Sequence, residues 1–236
     1  MTSHPRKTAA RTTRRERKAQ RSRQRILDAA RELFESRPYD DVKMDDISER
    51  VDLSRATLYN YFGSKEAIYF GIGIQGLRQM HERQRFAISG DETGLEQILT
   101  LSEDALRYLF EQPIIHEIIR QYLVANAQAE TPSHVIISRI AAGEEVGDAY
   151  SMILASFLGE MREFEETWVE VIETGYDDGS IRHELNPEQL THFLFMVILG
   201  MIDRVNLEGI MLRRLELSNE RIISLTVQLI RRSLET

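Results

Sequence analysis

The sequence predicts an all-α protein in which a small N-terminal three-helix domain precedes a larger helical bundle. Three observations lead to this fold class. Apolar residues recur at intervals of three and four along most of the chain, which is the spacing of one face of a helix. Serine or acidic residues stand where these stripes begin, and glycine or proline stands where several of them end. Two short stripes close together, braced by a longer one, form the pattern of a helix-turn-helix.

The chain divides into three predicted parts. Residues 1–20 combine low hydrophobicity with high charge, so we expect a disordered basic arm there. Residues 21–67 hold the helix-turn-helix domain, and residues 68–236 hold the helical bundle. A chain of 236 residues with 42% hydrophobic and 29% charged residues is long enough for two folded parts with a sizeable core.

Composition excludes several classes of protein. The absence of cysteine rules out disulfides, thiolate metal sites and a thiol nucleophile, and it fits a reducing cytoplasm. The basic start has no apolar run behind it, so we do not expect a secretory signal. The longest apolar run, 193–199, is far shorter than the roughly 20 residues that cross a bilayer. We therefore expect no membrane segment.

The net charge of −8 hides a strong asymmetry. Residues 1–65 carry 16 basic against 10 acidic side chains, whereas residues 66–236 carry 14 against 28. A basic end and an acidic body indicate that the N-terminal part meets a polyanion. The alternative for the arm alone is a tail that serves only solubility.

The first predicted helix follows the arm and stops at Pro38, which cannot continue it. Its apolar stripe consists of Ile26, Ala29, Ala30, Leu33 and Phe34.

A second, short helix is predicted from "MDDISERV", with Met44, Ile47 and Val51 on one face. Two aspartates in its first turn suit the positive end of the helix dipole. Asp52 begins a tight turn that leads into the next helix.

The third helix is predicted from its N-cap, Ser54, to about Phe62, and Gly63 ends it. Leu58 and Phe62 are four residues apart and point inward. The other side chains of this helix are polar or aromatic, a surface that suits the major groove of DNA. Hydroxyl groups donate to phosphates, an arginine can read guanine, and alanine or tyrosine can touch a thymine methyl. The alternative is a three-helix core with a decorated surface.

A fourth helix is predicted from its cap at Ser64 to about Phe86. Lys65 lies in its first turn, where the ammonium and the backbone N–H groups can together hold a phosphate.

At these residues the chain resembles the TetR (tetracycline-repressor) family of bacterial transcription regulators. The resemblance covers roughly 26–68 and consists of a helix ending in "LF", then "DDIS", then "LSRATLYNYFGSKEAI". The last segment follows the family pattern T-L-Y-x-Y/H-F-x-S/N-K-E-x-L. The resemblance implies a cytoplasmic bacterial protein, and we expect a homodimer without a cofactor. It also implies a repressor that a small molecule releases from a palindromic operator in double-stranded DNA.

The chain departs from the family pattern at four positions. Asp52 stands where the turn commonly has glycine, although aspartate tolerates the left-handed conformation. Lys43 precedes the second helix where a threonine commonly caps it and meets a phosphate, so an ammonium would make that contact here. Ser48 and Val51 replace common alanines. With these matches, the candidate DNA-binding residues are Lys43, Ser54, Arg55, Ala56, Thr57, Tyr59, Asn60, Tyr61 and Lys65.

Downstream the resemblance is architectural only. Two helices are predicted between about 92 and 125, with a break near Pro113, and a loop over 127–135 precedes a long helix over about 144–174. The helix over about 186–208 is apolar nearly all round, so it needs a partner. With the last helix, about 218–234, it would form a four-helix interface with a second subunit. We expect Leu199 and Ile202 at that interface.

The resemblance implies an effector site in this bundle. The candidates are aromatic and polar groups on otherwise apolar helices, although core packing explains each of them as well. These residues are His116, Tyr122, Phe157, Trp168, His192 and Phe193.

Two other functions compete with a ligand-responsive regulator. A ligand-independent architectural DNA-binding protein would share every N-terminal feature, and a cavity in the acidic body would distinguish the two. An all-α enzyme is a remote third, because the six histidines show no metal-ligand spacing and no nucleophile or phosphate-loop motif is visible.

Overall fold

The computed structural model describes residues 14–88, 90–127 and 148–235, without the side chains of 125–127. These residues form nine α-helices and a short 3-10 turn, and they contain no strand. The predicted loop over 127–135 and the predicted helix start at 144–147 lie outside the described residues, apart from residue 127. The helices are α1 (Arg14–Ser36), α2 (Met44–Arg50), α3 (Arg55–Phe62), α4 (Lys65–Ala87), α5 (Gly94–Glu111), α6 (Pro113–Ala127), α7 (Ala149–Asp177), α8 (Pro187–Arg214) and α9 (Asn219–Leu234), with the 3-10 turn at Tyr39–Asp41.

The first three helices pack around a small apolar core, as the sequence predicts. Ile26, Ile47 and Leu58 are fully buried, and each comes from a different helix. The turn between α2 and α3 has Asp52 at φ 54°, so the aspartate does adopt the left-handed conformation where glycine is common. Gly63, at φ 76°, ends α3. These two turns fix the direction of α3.

The start of α1 differs from the prediction. The helix begins at Arg14, so residues 14–20 are helical rather than disordered. Most of the side chains in these first turns are exposed. The prediction was wrong here because it followed the apolar stripe, which starts only at Ile26, and arginine and lysine are themselves good helix formers. Residues 1–13 lie outside the described part of the chain.

Helix α4 connects the N-terminal domain to the body and packs against α1, α3, α5, α6 and α7. Its second half is held by polar contacts. The Tyr108 hydroxyl donates to the carbonyl of Gly76 at 2.9 Å, and the Arg78 guanidinium donates to the Glu160 carboxylate at 2.6 Å. Gly76 lies close to α6, and a Cβ there would be 2.3 Å from Cδ1 of Ile115, so a larger residue would force the Ile115 side chain to move. Helix α4 is therefore in direct contact with α6 at Gly76 and with α7 at Arg78.

Helices α8 and α9 leave a wide apolar face open. Met196 is 67% exposed and Leu207 is 79% exposed on α8, and Leu229 is 61% exposed on α9. The outward positions on α8 differ from those that the sequence predicts. Ile202 is 1% exposed and lies in the core of its own subunit, and Leu199 also turns inward. A helix that is apolar all round does not reveal which side faces its own subunit.

No helix in the described ranges combines the length and the apolar content that crossing a membrane requires.

Candidate nucleic-acid interface and ligand cavity

Helix α3 is anchored from one side and open on the other. Leu58 is 0% exposed and Phe62 is 3% exposed, and both belong to the central core. The outward side chains are exposed or half-buried, and none of them is fully buried. All the α3 residues predicted to bind DNA therefore lie on the open side or at its edges. They are Arg55, Ala56, Thr57, Tyr59, Asn60 and Tyr61.

The first turn of α3 is fixed by Ser54. Its hydroxyl oxygen accepts a hydrogen bond from the backbone N–H of Thr57 at 3.2 Å, and the two hydroxyl groups are 2.7 Å apart. This is the N-cap that the sequence predicts. Both hydroxyls lie at the exposed end of the helix, where each retains capacity to bond a phosphate oxygen.

This cap leads to a prediction for stability. Ser54→Ala should lower the free energy of unfolding by about 1 kcal/mol, because the N–H of Thr57 loses its partner. Chemical denaturation without DNA measures the change. Ser54→Thr is the matched control and should stay close to wild type. An unchanged denaturation midpoint in Ser54→Ala would show that the cap does not stabilise α3.

Arg55 lies beside a carboxylate on the neighbouring helix. Its Nη1 is 3.3 Å from the Asp45 carboxylate, and its guanidinium carbon is 5.6 Å from the ring centre of Tyr59. Both side chains of the ion pair are more than half exposed, so the pair is weak in water. The ion pair positions the guanidinium beside α3 and leaves it accessible to solvent. DNA can therefore compete with Asp45 for the N–H donors of Arg55.

Lys65 is engaged within the protein. Its ammonium donates to the carbonyl of Tyr39 at 2.8 Å and lies 4.0 Å from the centre of the Tyr39 ring. The ring also contacts Phe34 and Tyr69, with centres 5.6 and 4.7 Å away. A phosphate contact by Lys65 must therefore exchange with, or add to, the contact with Tyr39. The sequence does not reveal this internal partner, which lies 26 residues away.

Lys43 is the N-cap residue of α2, and its side chain is exposed. Its backbone N–H donates to the Asp46 carboxylate at 2.8 Å. An ammonium has no acceptor, so it cannot cap the helix as threonine would, and it remains available to a phosphate.

A small apolar cavity lies in the body where five helices converge, with a volume of about 40 Å³. It is large enough for a few water molecules at roughly 10–15 Å³ each, but an apolar cavity stays dry. Every described lining side chain is apolar. The lining residues are Leu77 and Met80 from α4, Ala105 and Leu109 from α5, Ile119 from α6, Met161, Phe164 and Trp168 from α7, and Phe195, Ile198 and Leu199 from α8.

Of the six residues predicted to bind an effector, Trp168 lines this cavity. Phe157 is fully buried nearby, with its ring centre 5.3 Å from that of half-buried Tyr122. His192 and Phe193 do not face the cavity. His192 is exposed and lies 3.1 Å from the Glu165 carboxylate, and Phe193 is 39% exposed. For His192 and Phe193, the position on α8 and not the residue type determines whether the side chain faces the cavity or the solvent.

His116 is buried between α6 and α8 rather than in the cavity. It is 2% exposed, and its Nε2 lies 3.4 Å from the Asp203 carboxylate without a well-aligned hydrogen bond. Burial lowers the pKa of His116, and the negative charge of Asp203 only partly opposes this effect.

Sequence reasoning missed most of the cavity lining. Leu77, Met80 and Met161 carry no polar group that marks them as special, and they are brought together only by tertiary packing. Within the described residues, no group of three or more histidine or acidic side chains is placed to hold a metal ion.

Comparison with known proteins gives a family match for the N-terminal part of the chain and a shared fold for most of it. A family model described as "Bacterial regulatory proteins, tetR family" matches residues 26–72. The transcriptional regulator UidR of Escherichia coli (strain K12) is 36% identical over 90 residues, which are 37% of this chain and 46% of UidR. The transcriptional repressor KstR2 of Rhodococcus jostii (strain RHA1) is 25% identical over 176 residues, or 73% of this chain and 74% of KstR2. The chain thus spans about half the length of several curated relatives it matches.

Solved structures share the fold over most of the chain. A TetR family regulator from Thermus thermophilus, PfmR, has a TM-score of 0.61 at 21% identity, covering 90% of this chain and 100% of PfmR. A regulator from Saccharomonospora viridis, solved in complex with choline, has a TM-score of 0.62 at 18% identity, covering 91% of this chain and 98% of that one.

Proposed function

We propose that this chain is a member of the tetR family of bacterial regulatory proteins, and that it represses transcription by binding an operator as a homodimer until a small molecule releases it. The observation that carries the proposal is the open face of α3. Its polar and aromatic side chains are exposed or half-buried, while Leu58 and Phe62 on the opposite side of the helix are buried in the core. Such a surface has the size and chemistry of a helix that enters a major groove.

We assign different roles in DNA binding to the residues of the open face. Arg55 reads a base edge, with Ala56 or a tyrosine ring against a thymine methyl. Thr57, Tyr59 and Tyr61 hold phosphates and set the position of α3 on the duplex. Lys43 and Lys65 add charge on either side of the groove, where their contacts contribute affinity without sequence preference. We place this DNA binding in the bacterial cytoplasm, where operator DNA is accessible.

The exposed face of α8 and α9 supports a homodimer. A groove of about 310 Å³ runs between the two helices, and apolar side chains from both helices line most of it. Large apolar patches on soluble proteins mark interaction sites, and a second copy about a two-fold axis presents the same face in return. The dimer would place its two α3 helices in half-sites about one helical turn apart.

We assign release by a small molecule to this cavity, and such release is what distinguishes a ligand-responsive regulator from an architectural DNA-binding protein. Leu77 and Met80 of α4 line it, and the same helix starts beside the DNA-binding face. A ligand that enlarges the cavity pushes on α4 and changes the separation of the two α3 helices. A coupling free energy of about 1–3 kcal/mol gives a graded response. The proposal includes no catalytic role.

The basic start of the chain adds to the DNA contact. Deleting residues 2–20 removes seven basic side chains and one acidic side chain. We expect the dimer to persist, because the described residues up to 20 are not buried. The slope of log K against log salt should flatten by about two units or more per dimer. The basic residues removed are Arg6, Lys7, Arg11, Arg14, Arg15, Arg17 and Lys18.

A salt series with one operator measures this slope. The matched control is the full-length chain with the same seven residues changed to glutamine, which should show the same flatter slope. Parallel lines for the wild type and both variants would show that this segment does not contact DNA.

The proposal as a whole is tested by purifying the protein, selecting its operator from random DNA and measuring dimer binding to the selected site. The proposal expects a palindromic site. Binding without sequence preference would favour an architectural protein instead.

A further inference from the structure

The lining of the cavity restricts what it can hold. Five helices supply its side chains, and within the described residues none of them is charged, while the N–H of Trp168 is already bonded to Gln84. An ion moved from water into such surroundings loses its hydration and gains no partner. A ligand with a carboxylate or an ammonium inside this cavity is therefore strongly disfavoured.

One wall of the cavity is aromatic. The ring centre of Trp168 lies 5.9 Å from that of Phe164 and 5.0 Å from that of Phe195. Rings packed on one another in this way present apolar faces and edges to the cavity. On other sides Met80 and Met161 are flexible thioether chains, which adapt their shape to what lies against them.

A neutral polar group lies beside the cavity. Gln84 is fully buried, one turn beyond Met80 on α4. Its Oε1 accepts a hydrogen bond from Nε1 of Trp168 at 3.2 Å, and its Nε2 donates to the carbonyl of Leu101 at 3.4 Å. A carboxamide has two donor hydrogens and two lone pairs, so Gln84 keeps one donor hydrogen and one lone pair beyond these two contacts, although it does not itself line the cavity.

We infer that the cavity takes an uncharged, mainly apolar molecule with at most one neutral hydrogen-bonding group. This inference rests on the proposed function, because it names the ligand class of the same site. At about 40 Å³ the cavity is too small for such a molecule as it stands. Binding therefore requires it to open, with Met80 and Met161 rearranging around the ligand.

The fluorescence of a tryptophan can show whether the cavity holds a ligand. Trp168 is the single tryptophan of the sequence, and it lines the cavity. Its fluorescence therefore reports what enters the cavity, without reference to DNA. We choose three probes with the same ten-carbon chain: 1-decanol, decanoate and decylamine. At pH 7 they are neutral, negative and positive.

We expect 1-decanol to change Trp168 fluorescence with a saturating curve, and both charged probes to bind at least tenfold more weakly. Three variants locate the site. Ala105→Leu fills the cavity and should weaken 1-decanol binding at least tenfold, whereas Met161→Ala enlarges it and should strengthen binding about threefold. Met152→Ala, at an exposed methionine on the same helix, should bind like wild type. Circular dichroism verifies that each variant is folded.

The ligand class would be overturned if decanoate or decylamine bound as tightly as 1-decanol. The site would be overturned if neither Ala105→Leu nor Met161→Ala changed the affinity for 1-decanol; because their expected effects have opposite sign, loss of one variant to misfolding leaves the other decisive. A parallel titration of operator-bound protein separates this inference from the proposed function. If 1-decanol saturates Trp168 but the operator stays bound, the ligand class stands and the proposed release fails.

Discussion

An arginine at Met196 or at Leu229 should convert the protein to a monomer. Both side chains are more than half exposed on the face that we assign to the dimer. In the dimer each substitution would bury an unpaired charge, which costs about 3–5 kcal/mol. Because an isologous interface contains the substitution twice, the two charges also repel one another. Light scattering at micromolar concentration should show the monomer mass.

The same variants should lose operator affinity by about 100-fold or more, because the two half-sites are no longer bound by the two joined DNA-binding domains of a dimer. Met152→Arg is the matched control. This methionine on α7 is 59% exposed and lies on another helix, so the variant should remain dimeric and bind DNA like wild type. A native dimer in both Met196→Arg and Leu229→Arg would place the interface elsewhere on the molecule.

Loss of the Tyr59 side chain should weaken DNA binding for every sequence. Tyr59 is 38% exposed on the open face of α3, and its ring lies beside Arg55. Tyr59→Ala removes a proposed phosphate contact, while the ion pair with Asp45 still positions the Arg55 guanidinium. We expect a loss of about 1–3 kcal/mol, or roughly 5- to 150-fold in affinity, with little change in sequence preference.

Fluorescence anisotropy with the selected operator and with an unrelated duplex measures both affinities. Tyr59→Phe is the matched control, because it keeps the ring and removes only the hydroxyl. It should fall between wild type and Tyr59→Ala. Equal affinity in all three proteins would remove Tyr59 from the interface.

The N-terminal domain is largely predictable from the sequence because its signals are local. Ser54 and Gly63 mark the two ends of α3, and both take the cap conformations that their residue types favour. The inward pair Leu58 and Phe62 follows from helical spacing alone, and it leaves the outer face for function. The start of α1 at Arg14 was not predictable from apolar spacing, because its first turns contact no core.

The body is less predictable because its important contacts join distant parts of the chain. Trp168 and Gln84 are hydrogen-bonded across 84 residues, and Lys65 is held by a carbonyl 26 residues away. Residue type alone placed His192 among the effector candidates, yet it lies on the outside of α8. The rotation of a long apolar helix about its axis depends on its neighbours, and the pattern of a single helix does not contain that information.

Parallel selection of random duplexes by wild type and by Arg55→Ala tests whether α3 reads DNA sequence. We expect wild type to enrich a palindrome with half-sites about one helical turn apart. Arg55→Ala should enrich the same palindrome with preference lost at one or two base pairs in each half-site. Identical enriched sequences from the two proteins, or no enrichment by wild type, would show that α3 does not read the sequence through Arg55.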